Sequence, residues 1–209
     1  MKGTLIIFII FLFTNISSAQ TDLQKCSEEM NNEINTLVVQ GKGNDSMALK
    51  RVVEADKKWK ACVIGKPIPD FKINSISGKE LNAEKLKGKV LVINFWFIAC
   101  APCIAEMPAL NQLVSEYKNK NVLFLGFTYE SKEDVISMFL PKFKFDFTIV
   151  PNAQFIEDSF GVSAHPTMFI VDKHGKVKKT WAGGSTDEKD KTEVYLKTKP
   201  IIDELLKAE

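Results

Sequence analysis

The chain has 209 residues, enough for one domain of ordinary size with an appendage. Hydrophobic residues make up 45% and include 15 phenylalanines, so a large core can form and a disordered chain is excluded. With 28 basic against 26 acidic residues the formal charge is +2, which gives no basis for a nucleic-acid-binding or polybasic membrane surface.

Residues 1–19 read as a secretory signal. Lys2 supplies the positive start, Leu5 to Phe13 is an unbroken apolar run, and Ser17, Ser18 and Ala19 offer small residues for cleavage before Gln20. The run falls short of the roughly 20 residues needed to span a bilayer. An uncleaved anchor is the alternative. Cys26 does not follow a lipoprotein-type small-residue box, so no lipid anchor is expected. The expected location is periplasmic or otherwise extracytoplasmic, where disulfides persist.

Residues 22–63 read as a helical hairpin. Leu23, Cys26, Met30, Ile34, Leu37 and Val38 recur at helical spacing. Residues 41–45 break the pattern, and Asn44 or Asp45 can cap the next helix. Leu49, Val52, Val53, Trp59, Cys62 and Val63 suggest a second apolar face. Cys26 lies 17 residues before Gly43 and Cys62 lies 19 after it, so antiparallel helices would bring the two level. A Cys26–Cys62 disulfide is expected; closing that loop stabilises by roughly 4 kcal/mol in the chain-entropy model. Two free cysteines packed as small apolar residues are the alternative.

Gly65 to Asp70, with two prolines, reads as a linker. Phe71–Ile76 alternates like a strand, Ser77 to Lys79 is a turn, and Asn82–Leu86 suggests a short helix stopped by Gly88. Val90–Phe97 is β-branched and apolar without alternation, the pattern of a strand buried on both faces. A helix follows from Ile104 to about Tyr117, with a kink expected at Pro108. Further elements are strands at Val122–Thr128 and Phe147–Val150, and helices at Lys132–Phe143 and Ala153–Phe160. A hairpin of Thr167–Val171 and Lys176–Trp181 comes next. After a charged loop at Thr186–Lys191, a last helix spans Thr192–Ala208, with Pro200 as a candidate break. The class is α/β with a mixed central sheet flanked by helices.

The chemistry-bearing stretch is Cys100-Ala101-Pro102-Cys103, where the buried strand becomes a helix. Unpaired N–H groups and the positive dipole end favour an anion at a helix start. A thiolate there has a lowered pKa and is the reactive form. The two-residue spacing lets the second thiol attack a mixed disulfide made by the first, which is dithiol–disulfide exchange. One such pair with a distant His165 does not supply the roughly four ligands of a structural zinc site, so no metal is expected.

Together these stretches resemble the thioredoxin superfamily, most closely its extracytoplasmic TlpA/ResA-like branch. The motifs are Val90 to Trp96, Cys100 to Cys103, Glu106-Met107-Pro108, Gly161-Val162, His165-Pro166-Thr167, and Phe169 to Asp172 with the Gly175 turn. The resemblance covers about residues 66–209 and implies a thioredoxin-like domain over 65–209, preceded by the hairpin at 20–64. It implies that Cys100, at an exposed helix start, attacks, and that Cys103, more buried, resolves. Pro166 matches the family's cis-proline, which aligns an extended substrate backbone. The implied partners are protein thiols and disulfides and a membrane-bound electron donor, as in cytochrome c maturation; no dissociable cofactor is implied.

Two departures from the family stand out. Ala99 replaces the Trp that many relatives carry before the first cysteine. Asn94 stands where cytoplasmic thioredoxins have a buried Asp, which makes Glu106 the candidate acid. Three residues past Cys103 it shares a helix face with it. Partial burial would raise its pKa and let it carry the resolving thiol's proton; a plain surface glutamate is the alternative. For His165 two readings stand: an imidazole near the Cys100 sulfur that tunes the couple, or a solvent-facing ring. His174 is expected at the surface. A peroxiredoxin-like peroxidase is disfavoured because Trp96 to Ala99 do not form the Pro-x-x-x-Thr-x-x-Cys pocket. A redox-idle binding module using the hairpin is the remaining alternative.

Overall fold

The computed structural model describes residues 20–39, 46–187 and 192–208. The expected signal segment at 1–19, the expected turn at 41–45 and part of the loop expected at 186–191 lie outside the described residues. No helix among the described residues is long and apolar enough to cross a membrane.

Two helices open the chain, α1 (Asp22–Val39) and α2 (Ser46–Val63). Cys26 and Cys62 are joined as a disulfide, with Cα atoms 5.8 Å apart. The buried stripe of α2 differs from the expected one. Ala55, Trp59 and Val63, four residues apart, point inward, whereas Leu49, Val52 and Val53 are exposed. The cause is reach: only the later turns of α2 lie over the sheet, where Trp59 meets Phe169 edge-on at 6.2 Å. The Trp59 indole N–H donates to Ser27 Oγ at 3.0 Å, so its polar tip is satisfied inside the interface.

A small antiparallel hairpin follows, β1 (Lys72–Asn74) and β2 (Glu80–Asn82), then a single 3₁₀ turn at Glu84–Leu86. The second strand was not expected. It is three residues long, and Glu80 and Asn82 flank the single buried Leu81, too short a pattern to read as alternation.

The central sheet contains β3 (Val90–Phe95), β4 (Val122–Phe127), β5 (Thr148–Val150), β6 (Thr167–Val171) and β7 (Val177–Ala182). Their spatial order is β5-β4-β3-β6-β7; β3, β4 and β5 run parallel, β6 pairs antiparallel with β3, and β7 pairs antiparallel with β6. All six residues of β3 are buried, as a central strand covered on both faces requires. The pleat sends Leu91, Ile93 and Phe95 to one face and Val92, Asn94 and Trp96 to the other.

Four helices complete the fold: α3 (Ala101–Glu116), α4 (Lys132–Asp134), α5 (Gln154–Phe160) and α6 (Glu193–Lys207). Helix α4 is one turn, capped by the Ser131 hydroxyl accepting from Asp134 N–H at 3.0 Å, and it widens into a π turn at Val135–Phe139. That replaces the longer helix expected to Phe143. The wider turn keeps both Val135 and Phe139 buried, with the Phe139 ring 4.4 Å from Trp96. Helices α3 and α6 run unbroken through Pro108 and Pro200. Both prolines lie on exposed faces, where the carbonyl left without a donor can meet water.

One core layer contains Met107, Leu110 and Leu113 of α3, Ile202 of α6 and Trp96. The opposite layer contains Phe95, Phe127, Phe160 and Phe169, and Leu23, Cys26, Trp59 and Val63 of the hairpin join it. The two helices of the N-terminal segment therefore pack into the main core.

Candidate active site

Strand β3 ends at Phe95, and Trp96 to Ala99 carry the chain to Cys100, the N-cap of α3. The Cys100 backbone is extended (φ −80°, ψ 94°), which aims its Sγ back at the helix start. There it accepts the Cys103 backbone N–H at 3.3 Å. The Cys100 N–H donates to the Phe97 carbonyl at 3.1 Å, pinning the loop. Cys100 and Cys103 are disulfide-bonded, with Cα atoms 5.2 Å apart. The resemblance implies an exposed Cys100; the structure buries it to 3%, close to the 1% of Cys103. The exposed residues at this corner are the neighbouring Ala99 and Ala101. An approaching sulfur therefore has to reach Cys100 between small side chains.

Across the cleft the His165–Pro166 peptide is cis, and Pro166 is buried at the start of β6. The Pro166 carbonyl accepts Gly183 N–H at 2.8 Å. A Cβ on Gly184 would lie 3.0 Å from Pro166 Cγ and 3.4 Å from Pro102 Cβ. The lack of a side chain at 184 thus lets the Pro166 loop and the first turn of α3 close on a common point.

Asn94 and Glu106 meet behind the cysteines because the pleat turns Asn94 toward α3 and helical spacing places Glu106 one turn beyond Cys103. The Asn94 amide donates to Glu106 Oε1 at 3.0 Å. Glu106 is buried, not a surface glutamate. Burial pushes its carboxyl up to about 7, although the Asn94 bond pulls the other way. A carboxyl that titrates near neutrality can take a proton and give it back.

His165 is not the solvent-facing ring of the second reading. Its side chain is 16% exposed, and Nε2 lies 3.3 Å from Glu157 Oε2. The ring stands edge-on to Phe97 at 5.4 Å and to Tyr129 at 6.0 Å, and those two rings stack at 5.9 Å. Glu157 was not anticipated. It sits inside α5, is 2% exposed, and its carboxyl is pushed up by burial, with the His165 bond opposing. The only trace in the sequence is an acid one residue after Ile156, beside the exposed Asp158. His174 is exposed in its turn, as expected.

Residues 64–180 match the model of the AhpC/TSA family, more than half of the chain. The chain belongs to the AhpC/TSA family. It is also 35% identical over 135 residues to the thiol-disulfide oxidoreductase ResA of Bacillus thuringiensis strain Al Hakam, covering 64% of this chain and 77% of that protein. ResA of Bacillus anthracis matches to the same extent. Among solved structures, a protein assigned as the thiol:disulfide interchange protein DsbE of Chlorobium tepidum superposes with a TM-score of 0.58 at 25% identity. That overlap covers 66% of this chain and 97% of the other. The thioredoxin domain of a thiol-disulfide oxidoreductase from Bacteroides vulgatus shares the fold, with a TM-score of 0.56 at 20% identity over 66% and 97% of the two chains. This AhpC/TSA member is a ResA-like thiol-disulfide oxidoreductase with a thioredoxin-like fold.

Proposed function

We propose that the protein works outside the cytoplasm as a reductant of protein disulfides, with Cys100 attacking and Cys103 resolving. The observation that carries this reading is a cysteine pair at the N-cap of α3, backed one turn on by a buried carboxyl that titrates near 7. The Cys103 N–H and the helix dipole favour a thiolate on Cys100. That thiolate attacks a substrate disulfide and expels one substrate sulfur. Glu106 takes the Cys103 proton, and the Cys103 thiolate attacks Cys100 Sγ and expels the second sulfur. Pro166, opposite the pair, aligns the substrate backbone. Electrons travel in the thiols, so the cycle needs no dissociable cofactor. A membrane-bound donor would restore the dithiol, and apocytochrome c, whose haem-binding thiols must be reduced, is a fitting substrate. The apolar run at 5–13 and the small residues before Gln20 support the location. Cys26–Cys62 serves as a structural clamp.

The reduction potential tests the direction. A reductant lies near the thioredoxin value of about −270 mV, and a value near the DsbA level of about −120 mV overturns that reading. Cys103→Ser should trap protein partners as mixed disulfides, and Cys100→Ser should trap none and abolish exchange. Peroxide consumption by Cys100 at a rate exceeding disulfide exchange would favour a peroxidase instead.

A further inference from the structure

Thiol–disulfide exchange has two proton problems, and Glu106 addresses only one. Its position behind Cys103 serves the resolving thiol. The sulfur expelled from the substrate leaves as a thiolate on the other side of Cys100. An ordinary thiol has a pKa of about 8.5, so that thiolate gains a proton near neutral pH.

His165 directly precedes the cis-proline. Its peptide partner Pro166 closes with Pro102 across Gly184. Its ring packs against Phe97, whose carbonyl holds the Cys100 N–H. It is thus fixed to both lips of the cleft. Nε2 is committed to Glu157. Nδ1 has no partner among the described residues, yet it is not among the sealed, unsatisfied atoms, so solvent reaches it.

Glu157 is buried, its Oε2 meets His165 and the Tyr129 backbone also hydrogen-bonds its carboxyl, while its Oε1 has no geometric partner among the described residues. A buried carboxylate that accepts one ring N–H fixes both the orientation and the tautomer of an imidazole, the same division of labour as in a carboxylate–histidine pair of a hydrolase.

We propose that Glu157 is a positioning residue that holds His165 with its second nitrogen toward the cleft, where the imidazolium protonates the thiolate expelled from the substrate. This rests on the exchange reading above. Cys100 S⁻ attacks one substrate sulfur, and the S–S bond breaks with its electron pair going to the other. Nδ1–H gives that sulfur its proton, and solvent reprotonates the ring. The second expelled sulfur is protonated in the same way. The substrate leaves as two thiols and the protein as a disulfide.

The test compares two substrates of the pre-reduced protein: a cystine peptide, whose thiolate gains a proton on leaving, and a nitroaryl disulfide, whose low-pKa thiolate does not. Single-turnover rates are measured for wild type, Glu157→Gln and His165→Gln. Both variants should slow the cystine peptide at least about tenfold more than the nitroaryl disulfide, the lower edge of general-acid effects. Equal slowing of the two substrates, or no slowing, overturns the proposal, because a purely structural pair would not distinguish leaving groups. If Glu157→Gln fails to fold, His165→Gln, at a partly exposed site, carries the comparison alone. A wild type that reduces neither disulfide, or does so equally well as Cys100→Ser, instead sinks the exchange reading.

Discussion

Glu106 and Asn94 make a buried polar pair whose consequences can be separated by pH. The carboxyl is raised from 4.5 to about 7 by burial, so the folded protein binds a proton that the unfolded chain has released. For a raised acid, stability is fully present below the unfolded value and is lost as pH climbs toward the folded value. The loss is up to about 1.4 kcal/mol per pH unit between 4.5 and about 7, levelling above. Denaturant unfolding of the oxidised protein should show that slope. Glu106→Gln keeps an acceptor for Asn94, flattens the slope and is more stable than wild type at pH 8. Its resolving step should be slower by about 100-fold or more and lose the inflection near pH 7, as read by stopped-flow fluorescence. A steeper slope in the variant, or an unchanged inflection, removes Glu106 from the proton path.

The hairpin and α5 meet at one tight point, and the elements can be tested there. Gly161 ends α5 in the left-handed region at φ +67°, and a Cβ there would lie 2.8 Å from the Leu23 carbonyl and closer still to Ser27. Thr21 Oγ1 donates to the Ser159 carbonyl beside it at 2.5 Å. Gly161→Ala therefore combines backbone strain with a clash against α1, and should lower stability by about 1–3 kcal/mol in thermal or denaturant unfolding. Trp59→Ala removes the ring that spans Ser27 and Phe169 and should cost about 3–5 kcal/mol. A loss under about 1 kcal/mol for Trp59→Ala would mean that α2 is not anchored to the sheet.

At the scale of the whole molecule, what sequence makes legible follows from how local the cause is. The unbroken apolar run of β3 announces a central strand, because burial on both faces leaves no polar position except Asn94. The hairpin helices are set by spacing within one segment. The inward stripe of α2, the π turn before Phe139 and the Glu157–His165 pair depend on contacts from distant segments, which no local period encodes. Close approach of the loop after β7, at Gly184, to Pro166 and Pro102 is likewise set by segments distant in sequence. The same non-local packing fixes how the protein unfolds. Leu23, Trp59 and Val63 lie in one core with Phe95, Phe160 and Phe169, so the hairpin shares its hydrophobic interior with one face of the sheet. Oxidised protein should unfold in one transition, with fluorescence, far-UV dichroism and hydrogen exchange of α1, α2 and β3 coinciding. Removal of residues 20–64 should leave a protein that is unstable or aggregates, since the Phe160 and Phe169 rings lose their cover. Two resolved transitions, with α1 and α2 melting first while the β3 amides stay protected, would make the hairpin an independent unit and free the sheet from it.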